Sequence, residues 1–183
     1  MHIAIPFVFS VMKESLSEPL HLSDVLELAV LASADKTRFE SLFRYIFDDD
    51  KRTSDNAAWV LTHLPKSANR WLEEKHEELI DETMRTSSTT KHRLMMVLLD
   101  RQPFGAKEIR TDFLDFCFEK LLDPSETYGV RSLAAKLAYK QCQTYPELRA
   151  ELRQSLELLE RETLNPGLSH TRKELLKKLQ LNP

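Results

Sequence analysis

The chain has little of what punctuates a polypeptide: 3 glycines and 8 prolines in 183 residues. That scarcity argues against many short strands joined by tight turns and favours long helices with brief connections. Cysteine is scarcer still. Cys117 and Cys142 are too few for a disulfide framework and lack the paired spacing of a zinc site. Both fall where the helical pattern wants an apolar group, so they are expected as small core residues in a reducing cytoplasm. An excess of positive charge is also missing. With 26 Lys and Arg against 29 Asp and Glu, a net charge of −3 and a pI near 6.1, the broad basic surface that neutralises phosphates is absent, and nucleic acid is disfavoured as a partner. Nor is there a run of the ~20 apolar residues that a membrane-spanning helix needs.

The nearest thing to an apolar run, Met1 to Met12 (MHIAIPFVFSVM), superficially resembles a signal peptide. It has no Lys or Arg n-region, and no small-residue cleavage site follows. Alternating Ile3, Ile5, Phe7 and Phe9 lack a second strand to pair with. Met12-Lys13-Glu14-Ser15 reads as an ordinary polar N-terminus, so Met12 is expected as the native start. Residues 1–20 are taken as a segment of uncertain order and 21–183 as one domain.

What is present, at 42% hydrophobic and 30% charged residues, is helical periodicity. Ser23-Asp24 can cap a helix with Val25, Leu28, Ala29 and Ala32 on one face. A second carries Phe39, Phe43, Ile46 and Phe47. Asp48-Asp49-Asp50 opposes the negative C-terminal dipole and reads as a polar linker, with a metal site as the sharper and less favoured alternative. Asp55 to Leu61 opens a further helix ended at Pro65, and Arg70 to Thr83 forms its partner as a single helix. Lys91 to Arg101 stops before Pro103 and pairs with Ile109 to Leu122. Tyr128 to Leu159 makes a hairpin broken at Thr144-Tyr145-Pro146, with Pro146 suited to a first turn. Ser169 or Thr171 can cap a last helix with Leu175, Leu176 and Leu179 inward and Lys173, Lys177 and Lys178 outward.

These hairpins repeat. Taking Ala57, Met95 and Ala134 as equivalent gives offsets of 38 and 39 residues. Fourteen positions on lie Trp71, Ile109 and Leu148; twenty-two on lie Leu79, Cys117 and Leu156. The first hairpin fits from Val25 through Phe39 and Phe47. A two-helix period near 40 predicts an all-α, right-handed α-α superhelix of about nine helices.

Val130-Arg131-x-x-Ala134-Ala135-x-x-Ala138 resembles the first-helix signature of HEAT repeats, and Asp55 to Leu61 resembles a decayed copy. Over roughly Ser23 to Leu179 the chain is similar to small bacterial HEAT-like proteins, above all in Asp112 to Asp123 followed by Pro124. It departs from the pattern at Met95-Met96, where a small pair is expected, and at Lys75, a charge in a core position. The resemblance implies an armadillo-type binding scaffold with no catalytic residues and no cofactor.

Other constellations read as structure. Trp59 and Trp71 are expected to pack. His2, His21, His63, His76, His92 and His170 lie far apart, form no H-E-x-x-H motif, and are expected at the surface. No Gly-rich phosphate loop or G-x-S-x-G elbow occurs. The most informative surface is Arg70 to Glu82 (RWLEEKHEELIDE), with six acids against two bases. In a solenoid the second helices line the concave face, so Arg70, Glu73, Glu74, Glu77, Glu78 and Asp81 are the candidate partner-binding residues, steering in a basic protein or peptide. The bland alternative is a solvated helix face. An alternative function, a HEAT-like DNA glycosylase or other nucleic-acid binder, would draw on Trp71, Arg110, Asp112 and Asp115; the missing basic stripe argues against it.

Overall fold

A computed structural model describes residues 12–104, 109–143, 145–161 and 163–181. The expectation about residues before Met12 therefore falls outside the described residues. Among those described, every regular element is helical: eleven α-helices and three 3-10 turns. The chain divides into two compact units, Met1–Gln102 and Pro103–Pro183.

The first unit holds α1 (residues 12–17), α2 (Leu22–Ala32), α3 (Lys36–Arg44) with the 3-10 turn Tyr45–Phe47, α4 (Lys51–Thr62), the 3-10 turn Lys66–Ala68, α5 (Asn69–Glu73), α6 (His76–Arg85) and α7 (Thr89–Asp100). Two elements exceed the expected nine. One is α1, whose Met12 and Leu16 are buried; the other comes from the division of the expected helix over 70–83.

Helix starts are set by local chemistry. Asp35, Asp50 and Ser88 accept hydrogen bonds from the N–H groups of Arg38, Thr53 and Lys91, satisfying donors that a helix leaves open. Asp24 does this in reverse at α2, its carboxylate accepting from the His21 N–H at 2.8 Å. Asp50 thus belongs to α4 rather than to a linker. Its acid sits at a positive helix end, the favourable site for it, and the Thr53 hydroxyl donates to it as well at 2.7 Å. Asp48 pairs with Lys13 at 2.8 Å. The core is built from the expected stripes: Val25, Leu28, Ala29 and Ala32 from α2; Phe39, Leu42 and Phe43 from α3; Ala57, Ala58, Val60 and Leu61 from α4. Each fully buried Phe contributes about 1.5–3 kcal/mol. Phe47 is the exception at 38% exposed, because the last turn of its helix tightens to a 3-10 turn and eclipsed 3-10 spacing carries it off the buried stripe.

The second unit holds α8 (Thr111–Leu122), α9 (Tyr128–Cys142), α10 (Pro146–Leu158) with the 3-10 turn Leu159–Arg161, and α11 (Pro166–Leu181). Helix α9 is its centre, packed by α8, α10 and α11, and buries Val130, Ala134, Ala135, Leu137, Ala138 and Cys142. Pro146 occupies the first turn of α10. The last helix begins earlier than expected. Pro166 opens it and the Asn165 side chain accepts from the Leu168 N–H at 2.8 Å, so Asn165 is the cap in place of Ser169 or Thr171. Leu175 and Leu179 are buried and Leu176 is half-buried.

Both units close helix C-termini with cations. The last carbonyls of a helix have no intrahelical donor and carry partial negative charge. Arg101 donates to the Thr62 and Leu64 carbonyls at 3.0 and 2.9 Å, finishing α4. Lys91, itself buried, donates to the Ile46 carbonyl at 2.9 Å and the Ser54 hydroxyl at 2.8 Å. In the second unit Arg131, 1% exposed, donates to the Leu121 carbonyl at 2.8 Å. Arg172 donates to Leu156 at 2.7 Å and Arg153 to Leu179 at 2.6 Å. The Arg of the Val130-Arg131 signature thereby acquires a physical role: it ends the preceding helix.

Candidate functional site

Pro65 cannot continue α4, and the chain turns through a 3-10 segment into α5. Leu72 anchors α5, while Leu79 and Ile80 anchor α6. Between them the helix is interrupted: Glu74 keeps helical dihedrals, but Lys75, at φ −104° and ψ 14°, leaves the α-helical path. An unbroken helix over 70–83 would carry the Lys75 ammonium into the core register, at the cost of burying an unpaired charge. Instead Lys75 lies half-buried, its Nζ 5.4 Å from the Phe43 ring centroid and 2.8 Å from the Glu78 carboxylate. The break therefore lets a lysine stem cover an aromatic ring while its charge reaches an acid.

Arg70, Glu73, Glu74, Glu77, Glu78 and Asp81 are all exposed. The guanidinium of Arg70 stands 5.3 Å above the Trp71 ring, and Trp71 packs on Phe39 with centroids 5.5 Å apart. Glu74 is paired with Lys36 and Glu78 with Lys75. Glu73 forms no ion pair among the described residues. These exposed carboxylates can attract a cation from solution.

Glu82 does not join them. It is 3% exposed, 2.7 Å from Lys91 and paired also with Arg85. The face is less acidic than the sequence count suggests, because one of its six acids is spent inside the fold.

Elsewhere the geometry is structural. Arg110 and Asp112 pair with each other at 2.7 Å, and that guanidinium, together with the N–H of Phe113, holds the Asp112 carboxyl below the usual range. Trp71 is committed to Phe39. Burial pushes both thiols up, Cys142 to about 12 and Cys117 further still, so neither is a thiolate at neutral pH and neither is suited to nucleophilic chemistry. His92 is buried, against the expectation of surface histidines; it holds the first-turn position that Ser54 and Arg131 hold in α4 and α9, which packs inward each time. Among the described residues no group of three or more His, Cys, Asp or Glu could hold a metal ion, and no helix is long and apolar enough to cross a membrane.

The residues that sequence reasoning missed are the buried cations. Their signal is a basic residue three or four positions before the central residue of a first helix, as Lys91 precedes Met95 and Arg131 precedes Ala134.

Successive helix pairs, spaced 38 and 39 residues apart from Ala57 onward, define an armadillo-type α-solenoid repeat protein. The chain belongs to the family of the HEAT repeat domain, whose family model matches residues 12–179. Among solved structures it is similar to an engineered protein determined by the Northeast Structural Genomics Consortium, with a TM-score of 0.64 and 14% identity over 95% of this chain and 80% of that one. It is also similar to a designed armadillo repeat protein, with a TM-score of 0.55 and 13% identity over 95% of this chain and 87% of that one. No curated protein matches the chain.

Proposed function

We propose that this protein is a non-enzymatic interaction scaffold, with residues 21–183 as its binding domain, that holds a basic protein or peptide on the concave face of its solenoid in the cytoplasm. The observation that carries the reading is the exposure of every one of Arg70, Glu73, Glu74, Glu77, Glu78 and Asp81 along α5, α6 and the break between them, in a repeat fold whose known use is protein recognition. Carboxylates spread along a helix face raise the local concentration of a basic partner and speed its encounter more than they tighten the final complex. The half-buried Trp71, with Arg70 above it, supplies an amphipathic border of the kind enriched at interfaces.

Affinity capture from the native host, run in parallel with the wild-type chain and a Glu73→Lys, Glu77→Lys, Asp81→Lys variant, tests this. A basic partner retained by the wild type and lost by the variant, with retention falling as salt rises above about 0.15 M, is the expected result. Equal retention by both proteins removes this face from consideration. A salt-sensitive shift of duplex DNA by the wild-type chain would overturn the protein-partner reading.

A further inference from the structure

A repeat array needs polar outer faces on its terminal helices to stay soluble. Helix α11 meets that requirement: His170, Lys173, Lys177 and Lys178 are exposed along it. Helix α2 does not. Leu22, Leu26 and Val30, spaced i, i+4, i+8, are 54%, 47% and 69% exposed, and Leu31 beside them is 43% exposed. Further round the same helix a groove of about 560 Å³ is lined by Glu18, Leu20, Asp24, Glu27, Leu28 and Leu31. Residues at a helix's i, i+4 and i+8 positions form one continuous row, so these leucines and the valine present a single apolar ridge.

Charge says what fits there. Residues 14–35 contain five acids (Glu14, Glu18, Asp24, Glu27 and Asp35) and no Lys or Arg. The basic residue on the groove, Arg38, is neutralised by Asp35 at 3.2 Å. Residues 163–181 carry the opposite sign, with Arg172, Lys173, Lys177 and Lys178 against Glu174 alone. Glu18 and Glu27 form no ion pair among the described residues, and neither do Lys173 and Lys177. Helix α11 also offers apolar contact: Leu181 is 71% exposed, and lysine stems cover apolar surface while their ammonium groups reach outward.

We propose that the exposed face of α2 is an interface that receives the outer face of α11 from a second copy of this chain. Leu22, Leu26 and Val30 lie against Leu181 and the stems of Lys173 and Lys177, whose charges reach Glu27 and the acids around it. Two α2 faces meeting each other would instead juxtapose Glu27 with its own copy and place no base nearby, so the self-complementary arrangement is disfavoured. A head-to-tail contact is heterologous. Each copy keeps one free face of each kind, and association extends to short open oligomers.

Sedimentation velocity of the full chain over a range of concentrations provides the test. The weight-average mass should rise with concentration at low ionic strength and fall back toward the monomer near 1 M salt, where charges are screened beyond about 3 Å. Leu26→Glu and, separately, the pair Lys173→Glu and Lys177→Glu should each leave a monomer with an unchanged circular dichroism spectrum. Mixing those two variants should then restore a 1:1 dimer and nothing larger, since one still offers α11 and the other still offers α2. Leu26→Glu adds a carboxylate, so loss of association in that variant also shows that the contact is not charge attraction alone. The proposal is overturned by a full chain that stays monomeric at every concentration, by association that survives the lysine reversals, or by a mixture of the variants that does not assemble. It is equally overturned if a chain beginning at Met12 assembles while the full chain does not, which would make residues 1–11 the occupant of the α2 face.

Discussion

The two units solve one problem with different chemistry. Each must bury the carbonyl end of a helix beneath the next helical pair. In Pro103–Pro183 the solution is Arg131, buried and donating to the Leu121 carbonyl. In Met1–Gln102 it is Lys91, whose ammonium meets the Ile46 carbonyl, the Ser54 hydroxyl and the Glu82 carboxylate. Arginine spreads its charge over a planar fork and is weakly hydrated, which eases its burial. Lysine is a compact, strongly hydrated charge and needs a counterion when taken out of water. The comparison teaches that the acid on α6 goes with the lysine on α7: the buried ammonium meets the Glu82 carboxylate 2.7 Å away as well as a carbonyl, while the buried guanidinium of the second unit meets the Leu121 carbonyl and acts on the Asp123 carboxylate.

The largest effect should come from breaking the pair on one side. Lys91→Met leaves Glu82 buried with only Arg85, itself on the surface, and should cost about 3–5 kcal/mol in urea unfolding. Adding Glu82→Leu should recover much of that loss. If the double variant is as unstable as the single, the burial of Glu82 does not depend on Lys91 and the comparison fails.

Arg131→Met should cost about 1–3 kcal/mol, since it strands the Leu121 carbonyl that the guanidinium now satisfies. A loss equal to that of Lys91→Met would show the two devices to be equivalent.

Within the second unit, Ala134 is fully buried on the central helix. Ala134→Leu should overpack by about 1–3 kcal/mol, while Leu176→Ala, at a half-buried position on α11, should cost under about 1.5 kcal/mol. Urea melts that rank Leu176→Ala as the worse lesion would displace the repeat register.

The smallest effect concerns caps. The Thr53 hydroxyl and N–H hold the Asp50 carboxyl below its usual range. Its folded value is therefore lower than its unfolded one, so its stabilisation is complete above the unfolded value near 4 and is lost as pH falls through the folded value. Asp50→Ala should lower the melting temperature at pH 7, and the gap to the wild type should close progressively as pH drops below about 4. A gap independent of pH would mean that the carboxylate is not what caps α4.

Much of this fold was legible because helix periodicity is a local property. The stripes of α2, α4 and α9 and the burial of Leu79, Cys117 and Leu156 follow from apolar spacing alone. What was not legible depends on partners far along the chain. Glu82 sits in an acidic run that reads as solvated, and only the arrival of Lys91 from another helix makes it a core residue. The break at Glu74–Lys75 is hidden for the same reason, since a pattern asks whether a position is apolar and not whether a lysine has Phe43 to lie upon. Trp71, Ile109 and Leu148 are half-buried rather than buried: Ile109 lies before α8 begins at Thr111, and Trp71 and Leu148 lie in the first turns of α5 and α10. The candidate site was legible in its exposure and overstated in its charge.

The cations that finish helices come late in the chain. Lys91 lies 45 residues beyond the Ile46 carbonyl it closes, and Arg101 lies 39 and 37 beyond those of Thr62 and Leu64. A ribosome adds about 5–20 residues per second, so each of these helix ends waits about 2–9 s for its donor to be made. Until then the carbonyls are satisfied by water alone and the hairpin's final turn can fray. The first unit is thus completed from its N-terminus one repeat behind synthesis, with Arg101, beside the boundary at Gln102, as its closing residue.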